Sequence, residues 1–293
     1  MKNNPFTGLG IALVTPFKED LSVDFEALKR IVNHVIDNGA DFLVALGTTS
    51  EAPTLTADEK KAVVNTILEA NGHRLPVMLG MGGNDTRTVV NHIKAQDFTG
   101  IAGILSVVPY YNKPNQRGMK AHFEAIADAS PVPVVVYNVP GRVGVNLQAA
   151  TCVELAQHPN IVAVKEASGN LTQIMEILRD KPADFDVLSG DDGITQPLMA
   201  LGAKGVISVA GNAYTKPFAT MMKGDADALR MHYAMLKMNQ LIFADGNPSG
   251  IKCLMHAMGL CENVLRLPLV PVNETTENEI IKEYNNNLIQ ILQ

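Results

Sequence analysis

At 293 residues, with 46% apolar and 18% charged side chains, the chain has enough apolar mass for one large core and too much to stay disordered. Its formal charge of −6 and the lack of any run of Lys and Arg leave no cationic surface for phosphates, so nucleic acid is not expected as a partner. No stretch approaches the ~20 apolar residues of a membrane span, and the apolar segment between Pro5 and Pro16 is shorter than a signal-peptide core; no membrane partner and cytoplasmic residence are expected.

The first apolar run is GIALVTP from Gly10, followed by FEALKRIVNHVIDNG, where Phe25, Leu28, Ile31, Val32, Val35 and Ile36 make one helical stripe and Gly39 sits at a C-terminal cap. FLVALG from Phe42 is the second run, and Thr56 with Glu59 then has the spacing of a capping box that opens a helix. PVMLG from Pro76, GILSVVP from Gly103, VPVVVYN from Val132 and IVAVKE from Ile161 continue the series. After the last of these, Asn170 with Gln173 repeats the capping spacing, and FDVLSG from Phe185 and GVISVAG from Gly205 complete the set. These runs are short, rich in Val and Ile and nearly continuous in hydrophobicity, as strands buried on both faces require, which points to a parallel sheet. Eight strand and helix units closed on themselves give an α/β (β/α)8 TIM barrel, expected over residues 1–224, with a C-terminal helical region over 225–293 packed on it. A doubly wound open sheet fits the same alternation.

In such barrels the reacting groups project from the C-terminal strand ends. Lys165 ends the run Ile161-Val162-Ala163-Val164, and alternation places it on the same face as Ile161 and Ala163, where an ammonium is costly to desolvate. Two readings follow: Lys165 is neutralised by Glu166, Asp191 or Asp192, or desolvation yields a neutral amine able to attack a ketone. The GTTSE turn at 47–51 either holds a carboxylate through its hydroxyls and N–H groups or is ordinary helix capping. Tyr137 is either a proton-transfer phenol or a core tyrosine. Cys152, Cys253 and Cys261 form no CxxC pair and are expected as buried free thiols. No HExxH or His/Cys cluster appears, and Asp191-Asp192 lacks a third carboxylate nearby in sequence, so no metal is expected. Neither TGLGIAL nor GMGGN has the setting of a dinucleotide loop.

Together GTTSE at 47–51, PYYNKP at 109–114, YNVPGR at 137–142, VKEASGN at 164–170, SGDD at 189–192 and GVISV at 205–209 resemble the dihydrodipicolinate synthase and N-acetylneuraminate lyase family of class I pyruvate aldolases, over nearly the whole chain. The resemblance implies Lys165 as the Schiff-base lysine, Tyr137 as the nearby acid–base, and a proton relay of Tyr137 with Thr48 and with Tyr111, the last supplied across a dimer interface. It implies that Thr49 binds the pyruvate carboxylate, that the main chain at Ile207 lines the same pocket, and that Arg142 meets the carboxylate of L-aspartate 4-semialdehyde. The reaction implied is condensation of pyruvate with L-aspartate 4-semialdehyde to 4-hydroxy-tetrahydrodipicolinate, which feeds diaminopimelate and lysine synthesis, without a metal or organic cofactor. The assembly implied is a homo-oligomer, a dimer at least, with a tetramer built as a dimer of dimers expected. A family lyase acting on a sugar acid and a non-catalytic ligand-binding barrel are the competing functions. Ser50 and Gly141 depart from the family's more usual glycine and serine. Ala57, Lys60 and Thr88 stand where lysine-inhibited members place two histidines and a glutamate, while Asn84 and Tyr110 match the carboxylate side of that inhibitor site, so strong inhibition by lysine is not expected.

Overall fold

The computed structural model describes residue 2 and residues 4–291. Eight strands follow one another in a closed parallel barrel: β1 (Gly8–Ala12), β2 (Phe42–Ala45), β3 (Val77–Gly80), β4 (Gly103–Val107), β5 (Val134–Asn138), β6 (Ile161–Glu166), β7 (Asp186–Ser189) and β8 (Gly205–Ser208). Closure excludes the open doubly wound sheet. The helices are α1 (Phe25–Asp37), α2 (Ala57–Asn71), α3 (Thr86–Ala95), α4 (Gln116–Ala129), α5 (Pro140–Val143), α6 (Ala149–Leu155), α7 (Leu171–Asp180), α8 (Thr195–Ala200), α9 (Thr215–Met222), α10 (Ala226–Ala244), α11 (Ser249–Ala257) and α12 (Glu274–Ile291). Among the described residues, no helix is long and apolar enough to cross a membrane.

The chain groups into two compact units. The first, Met1–Thr7 with Pro76–Ile207, contains β3 to β7 and nearly all of β8. Its strands are the Val- and Ile-rich runs, and their buried pattern on both faces matches what those side chains require. Register sets the chemistry of this unit, because Tyr137 pairs with Lys165 across β5 and β6, Asn138 pairs with Glu166, and Lys165 pairs with Leu188 on β7. Cys152 is buried and free, and burial pushes its thiol pKa up.

The second unit, Gly8–Leu75 with Ser208–Gln293, joins the first two strands to the C-terminal helices. α1 buries Ala27, Leu28, Ile31, Val32 and Val35, whereas Phe25 and Ile36 at the edges of the stripe stay partly exposed. Asn38 caps this helix and Gly39 follows with φ +97°, a conformation in which a side chain would be strained. Thr56 and Glu59 form the reciprocal capping box of α2. Asn212, fully buried, donates to Ala12 O at 2.8 Å and accepts from Val14 N at 3.3 Å, fastening the turn after β8 to the end of β1.

Candidate active site

In the first unit, Lys165 lies at the end of β6 and is only 5% exposed, beside Tyr137 at 7%. The Lys165 Nζ sits 4.3 Å from the centroid of the Tyr137 ring. No hydrogen bond from this Nζ to another described residue is present, so only the Tyr137 ring face and the field of Asp192 favour its charged form. Burial lowers its pKa from 10.5 to about 8, Asp192 opposes the shift, and the guanidinium of Arg142 adds to it. At pH 7 a pKa of about 8 leaves roughly 10% of the amine neutral, against roughly 0.03% for an unshifted lysine.

The carboxylates that sequence offered as partners for Lys165 divide among three tasks. Asp192, 2% exposed, is the one whose charge acts on Lys165. Asp191 accepts from Gly193 N at 2.9 Å and caps the short turn Asp192–Ile194. Glu166 lies one residue beyond Lys165 and therefore on the other face of β6. There it accepts from Asn138 Nδ2 at 3.1 and 3.2 Å, Gln173 Nε2 at 3.1 Å and Ser168 N at 2.8 Å. Sequence singled out Gln173 as the reciprocal half of a capping pair; the N-cap bond from Gln173 N to Asn170 Oδ1 forms, and the Gln173 side chain goes to Glu166 instead.

Gly190 of the SGDD motif was not singled out by sequence. A Cβ there would lie 2.7 Å from the Ala167 Cβ and 3.1 Å from both Cγ and Cε of Lys165. A side chain there would collide with Ala167 and crowd the lysine stem, so the tight β7 end shapes the Lys165 pocket.

Arg142 lies in α5, exposed, with its N–H on Val139 O at 2.9 Å. Nothing stands within 4 Å of where a Cβ of Gly141 would be, so the residue before it tolerates a serine. Tyr111, after β4, is 88% exposed with φ +74°, an uncommon backbone for a residue other than glycine. Asn112 Nδ2 donates to Asn84 O at 2.8 Å and Asn84 Nδ2 to Tyr110 O at 3.1 Å, so this loop is held while the Tyr111 ring projects from it. The structure thus brings Lys165, Tyr137, Asp192 and the charge of Arg142 together, and leaves the Tyr111 ring turned to solvent. Ile207, on β8, is 1% exposed.

Thr48 and Thr49 belong to the second unit, in the single-turn helix Thr48–Ser50 that follows β2. Thr48 is exposed and Thr49 is 2% exposed, with its Oγ1 accepting from Asn247 Nδ2 at 3.2 Å. Ser50 Oγ donates to Gly47 O at 2.7 Å, and the positive φ values of this segment fall on Leu46 and Glu51, so the family's usual glycine is not required at Ser50. Glu51, fully buried, pairs at 2.5 Å with the equally buried Lys252 of α11 and accepts from Arg266 N at 3.0 Å. Sequence missed Asn247 and Lys252; the only sequence signal was a lysine inside an otherwise apolar helix.

Comparison with known proteins gives concordant results. A model of the Dihydrodipicolinate synthetase family matches residues 5–286. A 4-hydroxy-tetrahydrodipicolinate synthase of Parabacteroides distasonis is 53% identical over 279 residues, covering 93% of this chain and 94% of that protein. The crystal structure of dihydrodipicolinate synthase from Thermotoga maritima superposes with a TM-score of 0.94 at 35% identity, covering 98% of this chain and 100% of that one. The chloride-inhibited dihydrodipicolinate synthase from Acinetobacter baumannii, complexed with pyruvate, superposes with a TM-score of 0.93 at 36% identity, over 97% and 99% of the two chains.

Proposed function

The chain belongs to the dihydrodipicolinate synthetase family, and from that premise we propose that Lys165 forms an imine with pyruvate and carries the condensation with L-aspartate 4-semialdehyde. The activity is that of a class I pyruvate-dependent lyase, 4-hydroxy-tetrahydrodipicolinate synthase. The observation that carries the mechanism is the desolvated Lys165 amine, its pKa lowered to about 8, lying against Tyr137.

The neutral amine adds to C2 of pyruvate, and loss of water gives the imine. Its protonated form acidifies the methyl group, which loses a proton and leaves an enamine. The enamine carbon attacks the aldehyde of the second substrate, whose oxygen takes up a proton. The amino group of the former semialdehyde then adds to the imine carbon, closes the ring and releases Lys165. Splitting the reaction through a covalent intermediate lets one lysine do what would otherwise need a stronger electrophile.

Tyr137 is the acid–base nearest the amine, and Thr48 and Tyr111 complete its relay, Tyr111 from a second copy in a homo-oligomer. The outward Tyr111 ring supports that reading. Thr49 and the main chain at Ile207 take the pyruvate carboxylate, and the Arg142 fork takes the carboxylate of the semialdehyde. The protein works in the cytoplasm. A coupled assay that offers L-aspartate 4-semialdehyde and N-acetylmannosamine as acceptors tests the assignment: turnover with the semialdehyde alone is expected, and preferential turnover of the sugar overturns it.

A further inference from the structure

Arg142 stands on a short excursion of the chain between β5 and α6, and a single buried residue fastens both ends of it. Asn138, the last residue of β5, is fully buried and its Oδ1 accepts from Leu147 N at 3.0 Å, nine positions on. Its Nδ2 donates to Asn146 Oδ1 at 2.9 Å. Asn146 and Leu147 are held further by Gln173, which accepts from Asn146 Nδ2 at 2.7 Å and donates to Leu147 O at 3.3 Å. From α4, Gln116 Nε2 reaches Asn146 O at 2.8 Å.

The two amides that do most of this work, those of Asn138 and Gln173, share one acceptor, the buried carboxylate of Glu166. Ser168 N closes on the same group, so every one of these contacts is an N–H pointing at an acceptor-only side chain. A side-chain amide at position 166 would turn its own NH2 group against at least one of those donors. Glu166 faces away from Lys165, so the network can fail without altering the amine.

We propose that Glu166 is a positioning residue for Arg142: through Asn138 and Gln173 it fixes the closure of segment 139–147, and so governs recognition of the second substrate's carboxylate and not pyruvate binding. The inference rests on the assignment of Arg142 to that carboxylate.

The test compares full-length Glu166→Gln, Gln116→Ala, Arg142→Ala and the Glu166→Gln/Arg142→Ala double variant. KM for the semialdehyde is measured beside the rate of borohydride trapping with pyruvate. Glu166→Gln is expected to raise KM for the semialdehyde about tenfold while trapping stays within about twofold of wild type, since a buried donor is left unmatched. Gln116→Ala, at a half-buried latch that leaves the core intact, is expected to raise the same KM about threefold. In the Arg142→Ala background the Glu166 substitution should add less than about twofold, because the positioned group is gone. Equal losses for both substrates, a fully multiplicative double variant, or a Gln116→Ala protein with unchanged KM overturns the inference. Absence of any pyruvate adduct in the wild-type protein overturns the imine assignment itself, so the two failures are told apart.

Discussion

Two lysines are buried among the described residues, and their surroundings are opposite. Lys252, 0% exposed, donates to Glu51 Oε1 at 2.5 Å and Val264 O at 2.8 Å and lies 4.2 Å from the Phe17 ring centroid. Burial lowers its pKa, and the Glu51 carboxylate opposes that shift directly. Lys165, 5% exposed, has an aromatic face at 4.3 Å and the field of Asp192, with no hydrogen bond to a described residue. A buried ammonium with a bonded carboxylate is a structural tie; a buried amine without one is held ready to lose its proton. Burial alone separates nothing here, and the partners do.

Replacement divides the two lysines most sharply. Lys165→Ala should lower kcat by at least about 1,000-fold and leave the thermal midpoint nearly unchanged, because a nucleophile is lost and a desolvation cost relieved. Lys252→Met should do the reverse: the stranded Glu51 charge costs about 3–5 kcal/mol, read as a lower denaturant midpoint, while pyruvate still forms its adduct. A Lys252→Met protein of wild-type stability would show that the pair is not the tie described here.

The Lys165 side of the comparison is sharpened by its neighbours. Tyr111→Phe should reduce turnover about 100-fold with adduct formation partly kept, since a proton step and not nucleophilicity is removed. Hybrids with Lys165→Ala chains should regain activity, and verified hybrids that regain none would place the whole relay in one chain. Arg142→Ala should reduce kcat/KM for the semialdehyde about 30- to 100-fold and affect pyruvate far less, the loss expected for a charged fork. The smallest expected effect is that of free lysine: 1 mM should change turnover by less than about twofold, because the family resemblance sets Lys60 where lysine-inhibited members place a histidine beside the inhibitor's ammonium, and two like charges repel. By the same resemblance the neutral Thr88 stands in place of a glutamate, and its hydroxyl donates to Asp85. Strong inhibition at that concentration would contradict the reading.

Much of this was legible in the sequence for a physical reason. Strands buried on both faces must be continuously apolar, so the lysine that follows the apolar run Ile161-Val162-Ala163-Val164 was conspicuous, and the capping box of Thr56 with Glu59 formed as its spacing implied. The same alternation that placed Lys165 also sent Asn138 and Glu166 to the opposite face, yet the sequence gives no means of telling that amides from β5 and α7 meet one carboxylate there. Gln173 shows why: its spacing from Asn170 fitted a local cap, and a nonlocal acceptor won its side chain. Partners such as Lys252 for Glu51, 201 residues apart, depend on the tertiary path and carry no short-range signal.

Borohydride trapping with pyruvate, followed as a function of pH and mapped by peptide, tests the central claim most directly. Lys165 carries its proton less readily when folded, so its neutral fraction rises as pH passes through about 8 and levels off above it. The linked stability has the same sign: between about pH 8 and 10.5 the unfolded chain holds the extra proton, so this group's contribution to stability grows as pH rises through that window and is lost as pH falls through it. The adduct should be found on Lys165, and its rate of formation should have a midpoint near pH 8. An adduct on Lys252 or another lysine, or a rate still climbing steeply beyond pH 10, would contradict the account.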